Sequence, residues 1–163
     1  MRLAVRISSG KPPREDPVPP KNNRALFLAI SAWAVAGLVV SGLSLQRHYA
    51  KSATSYCGFG EKFNCDIVNR SEYSTVIGIP VAGIGVVGYG ALLALATLYR
   101  ARAGTPTQLL AAAAAGLAFA LYLTYIEGYV LATWCVLCLC SLGIITAIAV
   151  LAAVTKVRTA RNS

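Results

Sequence analysis

The 163-residue chain is short of charge. Only 13% of its residues are charged, where a soluble domain carries about a quarter. Six residues are acidic and one is histidine, His48, which is too little to point to a metal centre. No haem, flavin or nicotinamide signature is present, and no alternating pattern of a membrane barrel. Four runs lack charge altogether. Ala25–Gln46, Tyr73–Tyr99, Ala103–Ile126 and Gly128–Thr155 hold 22, 27, 24 and 28 residues. Crossing about 30 Å of hydrocarbon at ~1.5 Å per residue takes roughly 20 residues, so each run is long enough to span. Too little chain remains between them to bury a soluble core. These shortages exclude a water-soluble enzyme, a disulfide-rich secreted domain and a disordered chain. What the chain has in abundance is apolar surface: 56% hydrophobic residues and a mean hydropathy of +0.61.

Lipid offers backbone groups no partners, so spanning segments without a barrel pattern must be helices. The expected fold class is therefore all-α integral membrane, a bundle of four transmembrane helices. The spans are expected at about 25–46, 75–99, 106–126 and 130–154, with the loop 47–74 outside and tails at 1–24 and 156–163.

A net charge of +9 would suggest nucleic acid in a soluble protein. Its placement suggests membrane lipid instead, and no nucleic-acid partner is expected. Arg2, Arg6, Lys11, Arg14, Lys21 and Arg24 precede the first run; Arg100 and Arg102 follow the second; Lys156, Arg158 and Arg161 follow the fourth. Basic residues accumulate on the cytoplasmic side, and four spans put these eleven of fifteen on one face. Both termini are then cytoplasmic. Arg47–Glu72, with a charge of +1, faces out, as does a turn expected around Glu127 and Gly128. A signal peptide does not suit the first run, which exceeds the usual ~7–15-residue apolar region and has no clear cleavage site after it. The tail, with Pro12, Pro13, Pro17, Pro19 and Pro20, reads as disordered, its basic residues touching anionic lipid.

Gly83, Gly85, Gly88 and Gly90 resemble a nucleotide-binding loop only superficially; no strand precedes them, and helix packing is the simpler role. Pro80 biases Ile79 away from helix, so the second helix should start or kink there, with Ser71–Ile79 folding over the outer mouth. Tyr122, Tyr125, Tyr129 and Trp134 form an interfacial belt. Glu127 and Asp66 are candidates for proton relay at the outer mouth, with solvation as the expected state of each.

The chemistry rests on five cysteines. Cys57 and Cys65 lie in the outer loop. Cys135 and Cys138 form a Cys-x-x-Cys about two helical turns, or ~10 Å, into the fourth run. That spacing places two sulfurs on one helix face, where a small disulfide ring exchanges readily and a structural crosslink gains little. The loop pair is either a structural disulfide or a carrier between an outside dithiol and the recessed pair. As a carrier it completes a relay that moves two electrons per exchange. The sink must be reachable from the membrane, and by elimination this is a lipid-soluble quinone. Two rival readings stand beside it: two inert disulfides in a non-catalytic membrane protein, and a four-cysteine zinc site. Cys140 reads as a buried small hydrophobe.

The ordered set Cys57-x₇-Cys65-Asp-Ile-Val-Asn-Arg-Ser71, then Gly78-Ile-Pro80, then Cys135-x-x-Cys138 in the last helix resembles the vitamin K epoxide reductase family, in its bacterial form, over about residues 25–155. The resemblance implies a four-helix bundle around a quinone of ubiquinone or menaquinone type, capped by the loop and a short half-helix. It implies that Cys57 exchanges with a partner, Cys65 passes the disulfide to Cys135, and Cys138 stands next to the quinone. Ser71 would lie at the quinone site, a capping serine being the plain alternative. The implied function is a quinone-dependent thiol oxidoreductase that makes disulfides, in a bacterial inner membrane with the cysteine loop extracytoplasmic. Vertebrate members carry Thr-Thr-Tyr-Ala after the second motif cysteine. Here Leu139-Cys140-Ser141-Leu142 stands there, which argues against quinone-epoxide reduction. No fused thioredoxin-like domain follows Val154, so the expected partner is a separate DsbA-like thioredoxin-fold protein.

Overall fold

The computed structural model describes residues 21–49, 63–102 and 104–161. Most of the Pro-rich tail and the outer-loop stretch containing Cys57 lie outside the described residues. The chain is mostly helical: α1 (Lys21–Tyr49), a short α2 (Cys65–Arg70), α3 (Val81–Thr97), α4 (Thr105–Tyr129) and α5 (Val136–Arg161). Three helices, Asn23–Tyr49 within α1, α4 and α5, are long and apolar enough to cross a membrane, and α3 is a shorter apolar helix. They are apolar on every side, as helices in lipid are, and keep Leu28, Val39, Val87, Leu121 and Val150 exposed on the outside of the bundle. This is an integral membrane helix bundle.

Two helix boundaries differ from the charge-free runs. Of the expected span 75–99, only Val81–Thr97 is helical. Ahead of it Thr75–Val76 (β1) pairs antiparallel with Ile79–Pro80 (β2). Between them Ile77 and Gly78 turn the chain with φ of 53° and 78°, the two positive values of a tight hairpin. Pro80 is the N-cap of α3, where its missing N–H costs nothing. The expected span 130–154 is also displaced. Helix α4 continues through Glu127 and Gly128, where a turn was expected, and the reversal falls at Val130–Cys135. The N–H groups of Val130 and Leu131 both bond to the Ile126 carbonyl, and Ala132 adopts a left-handed φ of 49°. Charge alone does not end a helix. The reversal forms where the backbone folds back onto the last turn of α4 and the Trp134 ring settles against Gly128, whose added Cβ would lie 3.0 Å from it.

Helix α1 packs against both α3 and α5, and α4 packs on α5, whereas the contact between α3 and α4 is slighter. Phe27, Ile30, Leu109 and Ile148 fill the centre. Small residues set the closest approach: a Cβ at Gly37 would lie 2.4 Å from the Tyr89 ring, and one at Gly85 2.7 Å from the Ser41 hydroxyl. Of the glycines expected to pack helices, Gly85 does so closely, while Gly88 and Gly90 have nothing within 4 Å.

Candidate functional site

Two distant segments meet through a single backbone bridge. Phe63 and Trp134 pair in parallel, and the Asn64 N–H donates to the Trp134 carbonyl at 3.2 Å. One residue after Asn64 comes Cys65, and one residue after Trp134 comes Cys135, so the bridge brings both cysteines into one place. Each then enters a helix. The Asn64 side chain accepts from the N–H groups of Asp66 and Ile67 and caps α2, which starts at Cys65. The Cys135 carbonyl accepts the Leu139 N–H and opens α5. Cys65 and Cys135 are both 0% exposed and share a small apolar cluster with Val68, Leu131, Leu137 and Cys138. Cys65 is disulfide-bonded, whereas Cys135, Cys138 and Cys140 are free thiols. Cys57, the other predicted loop thiol, lies outside the described residues.

Cys135 stands ahead of α5 and Cys138 in its first turn, rather than two turns down the span. The pair is recessed by what covers it. Cys140 corrects its expectation: it is exposed on the outside of α5, because it points away from the face that carries Cys138.

Glu127 is the residue that sequence reasoning placed wrongly. It is 2% exposed, not solvated. Its carboxylate accepts the Cys135 N–H at 3.1 Å. Glu127 and the sulfurs of Cys135 and Cys138 present ligand atoms all within 4.8 Å of one another. In the connection ahead of the helix, the Cys135 thiol is more acidic than an ordinary thiol. The hydrogen bond with the Cys138 thiol is the chief cause, opposed by burial and by the Glu127 charge, and the N–H groups of Cys138 and Leu137 add to it. Three donors fall short of a closed zinc site, and the disulfide at Cys65 removes one thiolate from the four-cysteine reading.

Cys138 and Glu127 open onto a cavity of about 400 Å³. Its walls are Ile84, Leu92, Phe119, Leu123 and Ile145, with the small residues Gly88, Ala91, Ala112 and Ala115 where α3 and α4 stand apart. At its outer end the polar groups gather. The Ser44 hydroxyl donates to the Asn69 side-chain carbonyl at 2.8 Å, and His48 Nδ1 donates to the Asn69 backbone carbonyl at 2.6 Å. Ser44 thereby orients the amide. Asn69 Nδ2 is left buried with no hydrogen-bond partner. An orphan donor of that kind costs about 1–3 kcal/mol unless a ligand satisfies it. Ser71 also lines the cavity, with its hydroxyl proton committed to the Val68 carbonyl at 2.8 Å, the geometry of a capping serine. Tyr73, Ser74 and Pro80 complete that end. An apolar chamber whose polar end includes a buried, unpaired amide donor fits a flat ligand whose polar atoms are acceptors, as a quinone's carbonyl oxygens are.

Sequence reasoning missed Ser44, His48 and Asn69 at the cavity, and named Glu127 as a relay candidate without its place beside the dithiol. Two signals were available. Ser41, Ser44 and His48 repeat at helical spacing along an otherwise apolar helix, and Glu127 is the only acidic residue after Glu72.

A helical membrane bundle that holds a free dithiol against an apolar cavity, with a disulfide packed beside it, is built as a membrane thiol oxidoreductase. Residues 28–153 match the model of the vitamin K epoxide reductase family, and the chain belongs to that family. No curated protein matches it.

Proposed function

We propose that the protein is a quinone-dependent thiol oxidoreductase that generates disulfides for an extracytoplasmic thioredoxin-fold partner. The partner's dithiol reduces the Cys57–Cys65 disulfide, Cys65 exchanges with the Cys135–Cys138 pair, and that pair reduces a membrane quinone of ubiquinone or menaquinone type. The observation that carries this reading is the shared burial of disulfide-bonded Cys65 and thiol Cys135, with Cys138 facing the cavity. Exchange needs sulfur to reach sulfur in line, and a dry cluster excludes competing thiols. In the quinone site Asn69 Nδ2 donates to one carbonyl, and Ser71, its proton already given to Val68, accepts from the reduced product. The gap between α3 and α4 passes the isoprenoid tail to the bilayer. Helices α1, α3, α4 and α5 all span, the shorter α3 standing nearest the membrane normal, with both termini cytoplasmic and the cysteine loop extracytoplasmic in a bacterial inner membrane.

Quinone reduction by the detergent-solubilised protein, followed in the ultraviolet, tests this with a reduced thioredoxin-fold protein as donor. Cys138→Ala is expected to abolish turnover with every donor. Cys57→Ala is expected to lose turnover with the protein donor and regain it with a small dithiol. Absence of turnover in folded wild type, over several quinones and donors, defeats the proposal.

A further inference from the structure

A carboxyl group inside a membrane helix is costly to bury, and one kept there marks a functional site whose partner should be named. Glu127 is such a group: it accepts the Cys135 N–H, and both sulfurs of the dithiol lie within 4.8 Å of its carboxylate. We propose that Glu127 carries the proton between the Cys138 thiol and the quinone, an inference that rests on the quinone-reducing reading above.

The geometry supplies each end of that path. The Glu127 carboxylate and the Cys138 sulfur lie within 4.8 Å of one another, so the proton that must leave this sulfur has a carboxylate within reach. Glu127 and Cys138 both line the cavity, so the proton's destination lies on the other side of the same carboxylate. The Cys135 N–H, donating to Oε2 at 3.1 Å, holds the side chain in place while the proton moves. In the net step the two S–H bonds break, the Cys135–Cys138 S–S bond forms, and the electron pair reduces the quinone to hydroquinone. One proton passes from Cys138 to Glu127 and on to a quinone oxygen, which returns Glu127 to its starting state. The Cys135 proton and the one taken by the second oxygen exchange with water at the outer mouth, so two protons leave the thiols and two are gained by the product.

A carboxylate that served only to hold Cys135 would be replaceable by an amide, because glutamine keeps an oxygen to accept the same N–H. The test therefore uses the full chain in detergent as wild type, Glu127→Gln, Glu127→Asp and Cys138→Ala, with two readouts. The first, on quinone-free reduced protein, is the alkylation rate of the dithiol by a neutral reagent such as iodoacetamide. Removing the negative charge beside the sulfurs eases thiolate formation, so Glu127→Gln is expected to alkylate several-fold faster than wild type. The second is quinone reduction with a small dithiol donor. Glu127→Gln is expected to turn over about 10²-fold more slowly, the lower end of what a positioned acid–base group contributes, with the quinone KM unchanged. Glu127→Asp should recover part of that loss.

Slower turnover beside faster alkylation is the result only a proton carrier produces. Turnover of Glu127→Gln within threefold of wild type overturns the proposal, and so does turnover that rises together with alkylation. Equal loss in Glu127→Gln and Glu127→Asp with unchanged alkylation overturns it too, by making Glu127 a structural anchor. If wild type itself reduces no quinone, the functional reading fails and takes this proposal with it, an outcome that the wild-type and Cys138→Ala controls separate from the others.

Discussion

At the scale of single residues, the polar end of the cavity turns on Asn69, whose amide is only half satisfied. Ser44 satisfies the Asn69 carbonyl oxygen and His48 its backbone carbonyl, and its Nδ2 has no partner. Replacing Asn69 with leucine removes the orphan donor but takes away the acceptor of the Ser44 hydroxyl, so the two effects offset. Asn69→Leu is expected to leave thermal stability in detergent about unchanged, and to raise the quinone KM about tenfold. That factor corresponds to ~1.4 kcal/mol, the worth of one neutral hydrogen bond. Enzyme kinetics beside a melting curve checks both halves. Ser44→Ala should weaken quinone binding less, since it only frees the amide to rotate. None of this is legible from an asparagine four residues after a cysteine, because which atom of an amide is left unpaired depends on a serine on another helix.

At the scale of elements, two short pieces decide what the long helices do. The six-residue α2 is held by its Asn64 cap and by the Phe63–Trp134 bridge. Asn64→Ala should cost about 1 kcal/mol and loosen Cys65 from its cluster. The expected signature is faster reduction of the Cys65 disulfide by a small dithiol, read by gel shift, and slower quinone reduction. The hairpin ahead of α3 puts Ile77 at a φ of 53°, a conformation a β-branched residue adopts at a cost. Ile77→Asn should therefore stabilise the turn, measured as a higher melting temperature. Where α1 crosses α3, Gly37 leaves room for the Tyr89 ring and no more. Gly37→Val should destabilise by roughly 1–3 kcal/mol, the range of overpacked cores. The boundary at Pro80 was readable in the sequence because proline acts locally. The end of α4 was not, since the charge of Glu127 reads as a surface turn until Cys135 and Cys138 are seen to lie against it.

At the scale of the whole molecule, the arrangement is asymmetric: α1 and α5 are tightly packed, and α3 and α4 stand apart around the cavity. The proposed topology places the hairpin tip on one side of the membrane and the α3–α4 connection on the other. Ile77 is 98% exposed at that tip. In right-side-out vesicles an impermeant maleimide should label Ile77→Cys above the native-cysteine background, and label Arg102→Cys or Arg158→Cys only after permeabilisation. Labelling of all three from one side would contradict the four-span arrangement.

By itself the sequence determined the solvent and the currency of this protein. Runs without charge dictate burial in lipid, lipid dictates helices, and two spaced cysteine pairs mark thiol chemistry, because each of these follows from the residues of one segment. Tertiary structure decided the rest: that Phe63 and Trp134 pair and so bring Cys65 to Cys135, that Glu127 turns inward onto the dithiol, and that α3 and α4 leave a chamber with an unpaired amide at its end. Those facts depend on segments far apart in the chain meeting in space, and buried polar groups take their meaning from the partners that such meetings supply.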